Sequence, residues 1–296
     1  MTLELRILRY FLAVSQEKNI TKAAEKLLVS QPTLSKQLSD FEKELGTKLF
    51  VRGHRQITLT SQGAYLRSKA EEIVSLADKT ALNIQTNQVI SGDLTIGAGE
   101  SIGMKRIIDL MGNINQDYPD VKIHLISGTA DEMETMLNNG STDFAVFMGE
   151  RNLNDYNYLQ LPETDRWGVI MRKDSSLADK TAISPTDLLE KPLLISSQEI
   201  SRSRFKNWWG NLGSQMNIIG TFTLVFNAEF LVENGTAYML SFDNLINRTN
   251  QTELTFRPLD PPMIEPITIV WKKNTVLSKV DQLFIKRLQA SLHNND

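Results

Sequence analysis

Gln31, Pro32, Thr33, Ser35 and Lys36 crowd the start of an amphipathic segment, and their side chains suit contact with the edges of nucleic-acid bases. With Leu34, Leu38, Phe41 and Leu45 facing a core, Pro32, Lys36 and Lys43 fall roughly opposite at about 100° per residue. Gln31, Thr33 and Ser35 flank them near the N-terminal end. An amide such as Gln31 can pair with adenine, Lys36 can donate to a guanine edge or a phosphate, and the Thr33 methyl can pack on thymine. An isolated helix with such a face is simply solvated, so the surrounding residues must carry the argument. Downstream, Arg52 and Arg55 flank a short turn whose tip can place guanidinium groups on phosphate or in a minor groove. Upstream, Thr21 and Lys22 open another short helix as candidates for phosphate contact, a position where Thr21 serves equally well as a cap.

A second candidate is Gly97-Ala98-Gly99-Glu100-Ser101-Ile102-Gly103. It contains the G-x-S-x-G pattern of a nucleophilic serine, which needs a histidine base from downstream. His124 lies inside a predicted strand and His293 in the polar tail, so the triad is incomplete. Gly97, Gly99 and Gly103 also form a stretched dinucleotide fingerprint, but the next strand ends Ile126-Ser127-Gly128, without an acid for a ribose hydroxyl. What survives is small residues and a hydroxyl ahead of a helix, a setting for a carboxylate or other anion. No enzyme activity is expected.

The 296 residues include no cysteine, which excludes disulfides, thiol nucleophiles and cysteine-based metal sites, and the three histidines stand far apart. Neither a metal nor a resident cofactor is expected. Glu4, Arg6 and Arg9 interrupt the apolar residues at the N-terminus, and no run of 18 apolar residues occurs, so a cytoplasmic protein without a membrane partner is expected. The same interruption, with the basic head described next, disfavours an exported solute-binding module. The formal charge of −3 is an average: residues 1–90 hold 13 Lys and Arg against 9 Asp and Glu, and the rest holds 19 against 26. A basic head therefore precedes an acidic body.

The elements that must position these residues are legible in the spacing. Apolar sets at Leu5, Leu8 and Leu12, at Ile20, Ala23, Ala24 and Leu27, and at Leu34 to Leu45 predict three helices. Asn19 and Ser30 are placed as caps, Pro32 sits in a first turn, and Gly46 is placed as a stop. Short extended segments at 49–52 and 57–59 predict a wing. From Thr60 to about Val89, Leu66, Ala70, Ile73, Ala77, Thr80 and Ile84 repeat at alternating steps of four and three, a heptad seam that wants a partner. Beyond Gly92 strands and helices alternate, the grammar of an α/β body. The spans Asn152 to Pro162 and Pro258 to Pro266 are read as two strand crossings between lobes.

The runs Asn19-Ile-Thr-Lys-Ala-Ala-Glu-Lys-Leu, Val29-Ser-Gln-Pro-Thr-Leu-Ser-Lys-Gln-Leu, Leu45-Gly-Thr-Lys-Leu-Phe-Val-Arg and Leu59-Thr-Ser-Gln-Gly resemble the LysR-type transcriptional regulators. The likeness is dense to about residue 88, and continues through Tyr118-Pro-Asp-Val and Asp143-Phe-Ala-Val. It departs at Asn19, where serine is usual, and at Lys36, where arginine is usual; lysine is a point charge without arginine's bidentate fork. The resemblance implies a multidomain α+β and α/β chain: a winged helix-turn-helix over 1–59, a dimerising linker helix over 60–90, and a two-lobed effector domain over 91–296. That domain is expected to be similar to periplasmic binding proteins, with lobe I at about 91–161 plus 267–296 and lobe II at about 162–266. It further implies double-stranded DNA with an interrupted palindrome as partner, a homodimer through the linker helix, a homotetramer, RNA polymerase as a further partner, and a small-molecule inducer between the lobes. Carried over by position, Ser101, Thr129 and Gly149 from one lobe and Gln198, Ser201 and Asn227 from the other would line the effector cleft. Local turn or cap hydrogen bonds are the alternative role for each. If Ser101 receives an anion, Glu100 must point away.

Overall fold

The computed structural model describes residues 3–52, 57–85, 90–198, 204–246 and 253–293, and the chain divides into two compact units, Met1–Asn87 and Gln88–Asp296. In the first, α1 (Leu5–Glu17), α2 (Ile20–Lys26) and α3 (Gln31–Leu45) bury Leu8, Phe11, Val14, Ala23 and Leu34 completely. Asn19 caps α2 by accepting from Lys22 N, and Ser30 caps α3 by accepting from Thr33 N at 3.3 Å. Gly46 ends α3 with φ +67°, where a β-carbon would be strained. Strands β1 (Phe50–Arg52) and β2 (Ile57–Leu59) pair antiparallel, with Arg52 opposite Ile57. The turn between them, Arg55 included, lies outside the described residues.

Glu42 fastens the wing to α3. Only 7% exposed, it accepts from Leu49 N at 2.8 Å and Phe50 N at 3.2 Å, and pairs with Lys48 Nζ at 2.8 Å. Burial pushes its carboxyl up, but Lys48 and the two amides outweigh that and hold it below the ordinary value.

Helix α4 (Ser61–Gln85) departs from the expected seam. Ala70 is fully buried, and Leu66 and Val74 pack on the core that α1 shares, while Arg9 pairs with Asp78. Ile73 and Thr80 belong to the other side, where Tyr65 and Leu76 are also exposed. The heptad reading thus merged two rows: one is consumed within the chain, and one is open.

In the second unit β3 (Gly92–Ala98), α5 (Met104–Asp117), β4 (Val121–Ser127), α6 (Ala130–Asn138) and β5 (Phe144–Met148) alternate, with β3 parallel to both β4 and β5. The turn-rich span starting at Asn152 gives way to a 17-residue strand, β6 (Tyr156–Arg172). Its first part pairs with β11 (Ile264–Lys272), which also pairs with β5. Its second part pairs with β9 (Tyr238–Phe242) and β10 (Leu254–Pro258). Strand β7 (Leu193–Ser196) joins β9 to β8 (Ile218–Phe222), and α7 (Arg204–Trp209) and α8 (Val225–Glu233) cover that end. Strand β8 ends at Phe222, and Val225 opens α8. Helix α9 (Lys279–His293) returns to pack with α5 on the first lobe. Two long strands thus run through both lobes, and no helix among the described residues is long and apolar enough to cross a membrane.

Candidate functional site

In the first unit the caps of α3 leave its opening residues outward. Gln31, Pro32, Thr33 and Lys36 are exposed and Ser35 is half-buried, while Leu34 and Leu38 fill the core. Thr33 Oγ1 shares a 2.7 Å hydrogen bond with Ser30 Oγ, so its hydroxyl is held by the cap and its methyl remains for contact. Thr21 is exposed in the first turn of α2, whose cap is Asn19. The geometry therefore brings Gln31, Pro32, Thr33 and Lys36 into one polar edge at a helix N-terminus, the end that also favours phosphate. Arg52 ends β1, at the entry to the turn.

In the second unit a cavity of about 60 Å³ lies between the lobes. Its wall includes Gly99 and Glu100 after β3, Met148 at the end of β5, Ser196 at the end of β7 with Gln198 beyond it, Arg204 of α7, and Phe222, Thr223 and Val225 from the end of β8 to the start of α8. Trp167, Ser241 and Phe242 line it from β6 and β9. The ring of Trp167 is clamped by Phe205 and Phe242 at centroid distances of 5.0 and 4.3 Å. Its indole Nε1 donates to Glu265 Oε1 at 3.0 Å, and Arg204 Nη1 pairs with the same oxygen at 2.9 Å. Arg204 Nη2 also donates to the Met148 carbonyl at 3.3 Å.

The residues named from sequence divide among three places. Gln198 lines the cavity, and its Oε1 accepts from Ala130 N, the first amide of α6, at 2.9 Å. Gly149 follows Met148 with φ +86°, a conformation that favours glycine, and a β-carbon there would displace the Arg204 guanidinium. Ser101 and Thr129 are engaged elsewhere. Ser101, 9% exposed, donates to Asp165 Oδ1 at 3.0 Å and accepts from Gly103 N at 3.0 Å. Thr129 forms a capping box with Glu132 at the head of α6. Asn227 lines a neighbouring groove with Ser127, Gly128 and Thr221, and Ser201 lies outside the described residues.

Glu100, Arg204, Trp167 and Ser241 were missed, although each is a cavity residue. Glu100 shows why: its Oε2 accepts from Val225 N, the first amide of α8, at 2.5 Å. The carboxylate points into the cleft, contrary to the condition for an anion at Ser101. The partnership joins residues 125 positions apart, and no local pattern announces it. Among the described residues there is no cluster of three or more His, Cys, Asp or Glu able to hold a metal.

Comparison with known proteins places both units. The family profile described as bacterial regulatory helix-turn-helix protein, lysR family, matches residues 5–64, and that described as LysR substrate binding domain matches residues 87–293. The Hca operon transcriptional activator HcaR of Escherichia coli is 30% identical over 92% of this chain and 92% of its own length. The regulator CysL of Bacillus subtilis is 30% identical over 62% of this chain and 61% of that protein. Among solved structures, full-length CbnR complexed with its target DNA aligns with a TM-score of 0.71 at 18% identity, covering 98% of this chain and all of that one.

Proposed function

Because this chain belongs to the LysR family, and so is a DNA-binding transcriptional regulator rather than an enzyme, we propose that it reads its operator through the opening residues of α3 and senses a small molecule in the cleft between its lobes. The observation that carries the first part is the exposed edge of Gln31, Pro32, Thr33 and Lys36 on a helix whose other face is core. Laid in a major groove, that edge brings an amide, a methyl and a cation to base edges. Thr21 and Arg52, with Arg55, supply phosphate contacts that set the register.

The exposed row of α4, with Tyr65, Ile73 and Leu76, supports a homodimer through that helix. Two dimers on an interrupted palindrome, contact with RNA polymerase, a cytoplasmic location and the absence of a resident cofactor complete the reading. For the second part, the support is a partly open cavity that combines apolar side chains with a few convergent polar groups, as small-molecule sites do. Binding there regulates only if the ligand prefers one lobe or subunit arrangement over another.

Mobility shift on the DNA upstream of the protein's own gene tests the first part. Lys36→Ala and Gln31→Ala are each expected to weaken binding by about 1–3 kcal/mol, because each removes a groove contact. Unchanged affinity in both variants would overturn the assignment of α3 as the reading element.

A further inference from the structure

The positive helix ends that reach the cleft are already occupied by the chain's own acceptors. A helix N-terminus is the ordinary seat of an anionic ligand. Here the first amide of α8, Val225 N, is held at 2.5 Å by the Glu100 carboxylate from the other lobe. The first amide of α6, Ala130 N, is held at 2.9 Å by Gln198, again from the opposite lobe. Outside the cavity wall, the amide of Gly103, which caps α5, donates to Ser101, whose hydroxyl in turn donates to the buried Asp165.

The charges in and behind the wall point the same way. Among the described residues Arg204 is the only cation lining the cavity, and it is bound to Glu265 and to the Met148 carbonyl. Glu265 and Asp165 sit opposite each other across β11 and β6 behind it. Near α8, burial raises the Glu229 carboxyl, and Glu233 and Glu100 add to the rise. The rest of the wall combines the apolar Trp167, Phe222, Phe242 and Leu245 with the polar side chains of Ser196, Gln198, Thr223 and Ser241. Ser241 is 3% exposed and lines the cavity.

We infer that the cleft takes a neutral or cationic small molecule with a hydrogen-bond donor and an aromatic or aliphatic body, and discriminates against free carboxylates and phosphates. The donor meets the Glu100 carboxylate, the body lies along Trp167 and Phe242, and Ser241 completes a second polar contact. A carboxylate entering the same space must either displace Glu100 from α8 or lie beside it, and both leave like charges together. This inference rests on the proposed role of the cleft as an effector site.

The test is a thermal-shift screen and titration of the full-length protein at pH 7.5, with probes in matched sets: benzoate, benzamide and benzylamine, then the corresponding sets built on longer aliphatic acids. Ser241→Ala identifies which shifts arise in the cleft. Amides or amines are expected to bind the wild-type cleft at least tenfold more tightly than the matching carboxylates. Glu100→Gln is expected to narrow that gap from both sides. Should Glu100→Gln fail to fold, the wild-type comparison still decides. A carboxylate that binds as well as its amide, with the shift lost in Ser241→Ala, overturns the inference while leaving the effector cleft in place. No shift sensitive to Ser241→Ala in any set removes the cleft reading and the inference together.

Discussion

Asp165 is 1% exposed and stands directly opposite Glu265, where the two long strands cross between the lobes. Burial pushes its carboxyl up to about 6, and Glu265 adds to the rise, against the hydrogen bonds from Ser101 and the Ile102 amide. The folded protein therefore binds this proton more tightly than the unfolded chain does. The resulting stabilisation is complete below the unfolded value near 3.8 and is lost as pH rises through about 6. Between those limits it amounts to roughly 3 kcal/mol. Asp165→Asn should abolish this dependence, so urea denaturation between pH 4 and 7 should show the variant gaining on the wild type as pH rises. All four tryptophans lie in the second unit, so their fluorescence follows the relevant transition. Parallel pH profiles would show that the carboxyl is not the source. Nothing in the sequence around Asp165 hints at this, since its partners Ser101 and Glu265 are 64 and 100 positions away.

At the scale of elements, helices with both a cap and an apolar face were legible. Asn19, Ser30, Pro32 and Gly46 bound α2 and α3 through local hydrogen bonds and backbone preferences, which operate within four residues. Periodicity misled in α4, because a spacing shows which residues share a face but not which neighbour covers it. Ala70 is buried against the same chain, whereas Ile73 and Leu76 are 42% and 50% exposed. If the exposed row forms the dimer, Leu76→Asp should raise the dimer dissociation constant at least tenfold, since burying one leucine contributes about 1.5–3 kcal/mol. Sedimentation of the full-length variant measures it. A dimer as tight as the wild type would place the interface elsewhere. The first part of β6 and the start of β11 show a different limit: long strands take their register from partners far along the chain, and Pro162 in β6 and Pro266 in β11 obscure their extent locally.

For the whole molecule, a net charge of −3 conceals a basic head and an acidic body, and only the head's charge should govern DNA affinity. Plotted against log salt concentration, log affinity should fall with a slope of roughly −0.9 for each phosphate neutralised. Lys36→Ala should reduce that slope by about one if Lys36 meets a phosphate and leave it nearly unchanged if Lys36 meets a base. Filter binding between 50 and 200 mM salt, with matched and scrambled sites, separates the two. The amino-acid sequence alone established the helix-turn-helix, the polar edge of α3 and the α/β character of the body, because caps, proline, glycine and apolar spacing act between near neighbours. The occupant of each helix N-terminus facing the cleft emerged only from the folded chain. Glu100 on Val225 and Gln198 on Ala130 are meetings across two lobes, Arg204 on Glu265 joins residues far apart in the chain, and electrostatics acts through space without regard to position in the chain.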